Sequence, residues 1–162
     1  MRIESADFKN NGLIPEKFSC DGSDVSPTLT WYGVPRAAKS LALTLEDPDA
    51  PVGTWTHWII YNIPIDAKSL PSGVPLLPEL THGTLQGKNS FNKIGYRGPC
   101  PAPGHGAHRY FFRLYALDKM LNPRAGISRE KLEDAMRGHI LSRAELMGRF
   151  ERQIVKRKTQ LY

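Results

Sequence analysis

Two aspartates and two histidines hold most of the chemistry this sequence offers. Asp47 and Asp49 stand in "EDPDAPVGTWTHW" (46–58). Proline restricts the residue before it to extended conformations, so Asp47 and Ala50 are kept out of the α region and the two carboxylates sit on a stiff mount. The Ala50–Pro51 bond is also open to the cis isomer, which would turn the chain sharply. His57 opens the apolar run that follows, and His108 opens another after "GPCPAPGHGA". Tyr110 lies two residues beyond His108 and shares its face if that run is a strand. Gly95, Gly98, Gly104 and Gly106 let backbone approach a ligand closely and offer N–H donors. Taken singly, each residue has a plainer reading: the aspartates as an Asx-type turn, the histidines as satisfied core rings. Taken together, they suit either a metal held by two His and a carboxylate or an oxyanion held by the histidines and glycine-loop amides. In the second case the carboxylates would raise the histidine pKa and orient the rings.

The elements that must position these groups read as strands. "KSLALTLED" (39–47), "HWIIYNIP" (57–64) and "RYFFRLYALD" (109–118) are apolar runs rich in strand formers. The second ends at Pro64, where a ladder hydrogen bond cannot continue. The third has the near-continuous apolar character of a central strand, and "GTLQGKN" (83–89) is a weaker fourth. "IPIDAKSLPSGVPLLPEL" and "GYRGPCPAPGHGAH" carry too much Pro and Gly for helix and are long enough to be functional loops. Ser128 can cap a helix through "REKLEDAMRG", with Glu130 in its first turn, Gly138 as its stop, and Leu132, Ala135 and Met136 on its buried face. In "ILSRAELMGRFE" the even-numbered residues from Ile140 to Phe150 alternate against the odd ones, so this segment is predicted as a strand with an interior glycine. The expected fold is mainly β and mostly antiparallel, with one or two helices.

Composition narrows the function classes. A chain of 162 residues fits one domain. Of its net charge of +6, Lys156, Arg157 and Lys158 supply half, leaving 19 basic against 16 acidic groups in residues 1–152. That balance argues against nucleic-acid binding, which wants a clustered basic face. No apolar run approaches the ~20 residues of a membrane span, and "MRIESADF" lacks a signal peptide's apolar core, so a cytoplasmic location is expected. Cys20 and Cys100 fit no metal-ligand spacing; two reduced thiols are the cytosolic default, with a disulfide as the alternative. No nucleophile elbow, Walker loop or dinucleotide fingerprint is present.

"DPDAP", "THW", "GYRGPCPAP" and "GAHRYFF", in that order, resemble the phosphatidylethanolamine-binding protein family. "FSCDGSDVSPTLTW" (18–31) and "AELMGRFER" are similar to its bacterial and archaeal, Raf-kinase-inhibitor-like branch. The resemblance covers roughly residues 3–152, giving a domain of 1–152 and a basic tail of 153–162. It implies a β-sandwich of antiparallel sheets with peripheral helices and a small surface pocket for phosphate-like or carboxylate anions. Carried over motif by motif, the ligand-binding residues are Asp47, Asp49, His57, Gly98, His108 and Tyr110, with no cofactor and no metal. Glu46 falls outside this set, and the tryptophans serve as apolar packing. The branch generally forms dimers, so a homodimer is a further expectation. Animal relatives carry a C-terminal helix often credited with gating the pocket, whereas this chain ends in its short basic tail, so the kinase inhibition behind the branch name does not transfer automatically.

Two aspartates are a poor welcome for an anion, since like charges ~5 Å apart repel by several kcal/mol at an effective dielectric near 20. The histidines or the ligand should therefore carry protons, with an Asp–His hydrogen bond favouring that state. The expected function is a non-enzymatic anion-binding protein that modulates a protein partner such as a kinase or protease. The alternative is a metal-dependent or His/Asp acid–base hydrolase using the same pocket.

Overall fold

The structure is a computed structural model that describes residues 1–154. The last eight residues of the basic tail lie outside the described residues. Among the described residues nine strands form two sheets: β1 (Arg2–Glu4), β2 (Gly12–Leu13), β3 (Leu29–Tyr32), β4 (Ser40–Asp47), β5 (Trp55–Ile63), β6 (Ser69–Leu70), β7 (Leu85–Gln86), β8 (His108–Leu117) and β9 (Ile140–Phe150). One helix, α1 (Arg129–Met136), joins them, with short 3₁₀ turns at Glu16–Phe18 and Thr81–Gly83. The six-stranded sheet runs in the order β2-β9-β8-β4-β5-β7 and the three-stranded sheet in the order β1-β3-β6. Pairing is antiparallel except between β2 and β9.

The four strong apolar or alternating segments of the sequence are the four long strands. β4 is buried along its whole length, as a strand covered on both faces must be. Its odd residues Leu41, Leu43 and Leu45 enter the core between the sheets with Trp31, Trp58, Phe112 and Leu114. Ala42 faces the other way, into a second cluster with Ile59, Tyr61, Leu117 and the α1 residues Leu132 and Met136. Ser128 caps α1 as expected, its side chain accepting from the Lys131 amide.

Several expectations change. "GTLQGKN" supplies only the two-residue β7, and the N-terminal third contributes β1, β2 and β3, whose short runs carry little periodic signal. The Ala50–Pro51 bond is trans. Cys20 and Cys100 form a disulfide, with Cα atoms 5.4 Å apart across 80 residues of sequence. Reduced thiols were expected on grounds of compartment alone; the fold brings the two turns together and so favours the alternative. Among the described residues no helix is long and apolar enough to cross a membrane.

The interior glycine of β9 has a packing reason. Gly148 pairs with Gly12 of β2, and a Cβ there would sit 2.4 Å from Ile14 Cγ1 and 2.9 Å from Phe8 Cε2. The N-terminal segment can lie across β9 only because that methyl is missing. Gly148→Ala is expected to destabilise the protein by about 1–3 kcal/mol through overpacking, read as a lower midpoint in urea at unchanged slope.

Candidate functional site

The site lies where β4 ends and β8 begins. Successive strand residues face opposite ways, so the neighbouring acids Glu46 and Asp47 part company. Glu46 turns to the outer face of the six-stranded sheet, where Arg113 Nη1 (3.2 Å) and Arg129 Nε (2.9 Å) donate to it. Asp47 turns inward beside the core, and its Oδ2 meets His108 Nδ1 at 2.7 Å. Its Oδ1 accepts the Asp49 amide, closing an Asx turn. Both readings of this aspartate hold at once: it shapes the turn with one oxygen and orients a histidine with the other.

His57 reaches the same side through an irregularity. Leu45 pairs with Trp58 but Glu46 pairs with Thr56, so His57 is the extra residue of a β-bulge, a feature that re-aims side chains. Its ring meets Tyr110 edge-on with centroids 5.4 Å apart and Phe91 at 5.3 Å. His57 Nδ1 is 2.8 Å from the Arg97 carbonyl, and that carbonyl, as an acceptor, requires the proton on Nδ1 and leaves Nε2 as the acceptor of a neutral ring. Burial pushes the His57 pKa below the ordinary value, against the pull of the Arg97 carbonyl and Asp47. The expectation that the histidines or the ligand carry protons therefore leaves His57 out near neutral pH.

Tyr110 stands between the histidines, and its ring stacks toward His108 at 6.4 Å. Its hydroxyl is buried and forms no well-aligned hydrogen bond, although the Asp47 carboxylate and the Cys100 backbone lie close to it. Burial first, and then the nearby Asp47 charge, hold the phenol well above its usual pKa, so it keeps its proton and is a donor without a well-aligned acceptor. Asp47, His57, His108 and Tyr110 expose 3%, 3%, 4% and 0% of their surface. The surface pocket implied by the resemblance is thus closed over in this conformation.

The remaining two expected residues are placed differently. Asp49 points away to the surface, where Arg109 clamps it: Oδ2 accepts from Arg109 N and Nε, both at 2.9 Å, and Oδ1 accepts from Nη2 at 2.8 Å. This guanidinium holds the Asp49 carboxyl below the usual range, and its charge cancels the second aspartate that made anion binding puzzling. The Gly98 amide is not free for a ligand, because it donates to Asp24 Oδ1 at 2.6 Å. A side chain at Gly98 would collide with the Phe18 carbonyl, 1.9 Å from its Cβ position. Gly98 is required by that close approach, and only its carbonyl side, which lies against the His57 ring, borders the cluster.

Two residues that the sequence did not single out belong here. Asp24 holds the Arg97–Gly98 wall, pairing also with Arg97 Nε at 3.5 Å. His105 covers His108, with Nδ1 2.9 Å from His108 Nε2. Asp47, His108 and His105 form a chain in which His108 Nδ1–H donates to the carboxylate. The next link holds one proton, on His108 as a cation or on His105 with His108 neutral. The Gly-His-Gly spelling three residues before His108 was the available signal for His105; Asp24 had none. Among the described residues no group of three or more His, Cys, Asp or Glu is placed to hold a metal ion.

The profile of the family described as Phosphatidylethanolamine-binding protein matches residues 4–151. A UPF0098 protein of Methanothermobacter thermautotrophicus is 49% identical over 94% of this chain and 99% of its own. Among solved structures, the phosphatidylethanolamine-binding protein homologue CT736 of Chlamydia trachomatis is 41% identical with a TM-score of 0.85, covering 94% of this chain and 97% of that one. Escherichia coli YbcL, described as a member of the mammalian family, is 31% identical with a TM-score of 0.86, covering 96% and 98%.

The depressed pKa of His57 has a signed consequence. Folded His57 releases its proton more readily than an unfolded histidine. Its contribution to stability is therefore complete above pH 6.5 and is lost as pH falls from 6.5 toward the folded pKa. In an NMR titration its ring resonance is expected to move at a pH below 6.5; a midpoint at or above that value would contradict the burial argument.

Proposed function

The chain belongs to the phosphatidylethanolamine-binding protein family, and on that premise we propose that it is a non-enzymatic binder of a small phosphorylated or carboxylated anion. The observation that carries this reading is the buried hydroxyl of Tyr110, between two imidazoles and beside Asp47, which forms no well-aligned hydrogen bond. A buried donor without an acceptor costs about 1–3 kcal/mol, and an anionic oxygen arriving there turns that cost into a charge-assisted hydrogen bond. His108, oriented by Asp47, presents Nε2–H as a second donor when its ring is protonated on both nitrogens and His105 moves aside. Asp49 spends its charge on Arg109 and does not oppose the ligand.

A hydrolase would use the same Asp47–His108 pair as a general base. The atom at hydrogen-bond distance from His108 Nε2 is a histidine nitrogen, with no hydroxyl or thiol in that position, so holding an anion is the better-supported role than cleaving a bond. Modulation of a protein partner follows if the anion is a phosphorylated or carboxylated group on that partner.

Titration calorimetry with inorganic phosphate, phosphoethanolamine and acetate tests the reading. Tyr110→Phe is expected to weaken binding about tenfold or more, as loss of a hydrogen bond to a charged group does. The same variant should leave the unliganded protein as stable as before or up to about 1 kcal/mol more so, because an orphaned buried hydroxyl is removed. Absence of binding for all three anions, or an unchanged affinity in Tyr110→Phe, would overturn the proposal.

A further inference from the structure

The segment that closes the site is fastened by chemistry unrelated to ligand binding. Residues 99–106 carry His105 over His108, and Gly104 and Gly106 flank that histidine with φ of 75° and 90°. To the rest of the protein the segment is tied at its start by buried Pro99 and Pro101 and by the Cys100 backbone beside the Tyr110 hydroxyl, and further along by the Cys20–Cys100 disulfide, the Cys20 N to Pro99 O bond (3.1 Å), the Gly104 N to Arg152 O bond (3.2 Å) and the His105–His108 contact. The wall beside it is held independently. Asp24 accepts from the Gly98 amide and pairs with Arg97, the Tyr96 hydroxyl donates to Phe18 O (2.6 Å), and Arg97 N donates to His57 O (3.0 Å). Opening the disulfide would therefore loosen 99–106 while leaving the wall at Arg97–Gly98 in place.

The disulfide is also set up to be opened. Cys100 is exposed and Cys20 half-buried. Arg152 lies against the bond, with Nη1 3.7 Å from Cys100 Sγ, and grips Asp21, next to Cys20, through Nε (3.1 Å) and Nη2 (3.0 Å). A guanidinium beside a sulfur draws in an attacking thiolate and stabilises the thiolates that reduction produces.

We infer that the Cys20–Cys100 disulfide is a redox latch on the anion site: oxidised, it holds His105 on His108, and thiol–disulfide exchange at Cys100 releases the segment and admits the anion. The inference rests on the anion-binding reading for its ligand readout. A thiolate of a dithiol reductant attacks Cys100 Sγ, the bond to Cys20 breaks, and Cys20 leaves as a thiolate that takes a proton. The reductant's second thiol then attacks its own sulfur in the mixed disulfide, releasing Cys100 as the second thiolate. Two electrons and two protons pass to the pair, and the reductant departs as its cyclic disulfide.

The test titrates inorganic phosphate into oxidised protein, dithiothreitol-reduced protein and His105→Ala. Far-UV circular dichroism checks that each is folded, and thiol counting checks the redox state. Reduction is expected to tighten phosphate binding about fivefold, the competition removed with one hydrogen bond. His105→Ala should bind as reduced protein does and no longer respond to dithiothreitol, and Arg152→Ala should slow reduction. Hydrogen exchange supplies a readout independent of any ligand: on reduction the amides of 100–106 should exchange faster while those of β5 and β8 stay protected. Free thiols in protein purified without reductant, or unchanged exchange over 100–106, would overturn the latch. Measurable but equal phosphate affinity in both redox states would do the same. If no form binds phosphate while exchange over 100–106 does speed up, the anion-binding reading fails and the latch on the segment stands.

Discussion

A carboxylate taken out of water must find a partner, and the placement of Asp47 organises this end of the molecule around that requirement. An unpaired buried charge is far costlier than a buried neutral group, so Asp47 is tolerable at the inner edge of the core only because His108 meets it at 2.7 Å. The pairing demands that the end of β4 lie beside the start of β8, as their antiparallel register provides. It also fixes the orientation of the His108 ring, and with it the positions of Nε2 and of Tyr110 two residues along the same face.

The acids of one short stretch are thereby separated. Glu46, Asp47 and Asp49 lie within four positions, yet each has its own cationic or imidazole partner: Arg113 with Arg129, His108, and Arg109. The separation has two causes. Strand alternation sends Glu46 and Asp47 to opposite faces, and the turn begun at Pro48 carries Asp49 out to the rim. What is left inside is a site with one carboxylate already engaged, one imidazole kept neutral by burial, and one hydroxyl unsatisfied. Such an arrangement leaves one buried donor without a well-aligned acceptor, the feature on which the proposed anion binding rests.

Much of this was legible in the chain. Periodicity and turn residues pointed to the four long strands and to the Ser128-capped helix, because burial on one or both faces of an extended chain writes itself directly into residue order. Apolar runs opening at His57 and His108, next to loops rich in Pro and Gly, pointed to the candidate site. β1, β3 and β6 were not legible, since two to four residues paired with distant partners leave almost no local pattern. Nor was the capping role of His105, whose meaning depends on which nitrogen it covers.

By itself, then, residue order determined the fold class and brought forward most residues of the candidate cluster, through local preferences that act over a few neighbours. Tertiary structure decided how each is used. The β-bulge that turns His57 toward Tyr110, the Arg109 clamp that removes Asp49, the Asp24 carboxylate that occupies the Gly98 amide, and the joining of Cys20 to Cys100 all depend on contacts between segments up to 80 residues apart. "EDPDAP" is spelled the same whether its acids face a ligand, a core or solvent; only the neighbours brought in by folding distinguish them.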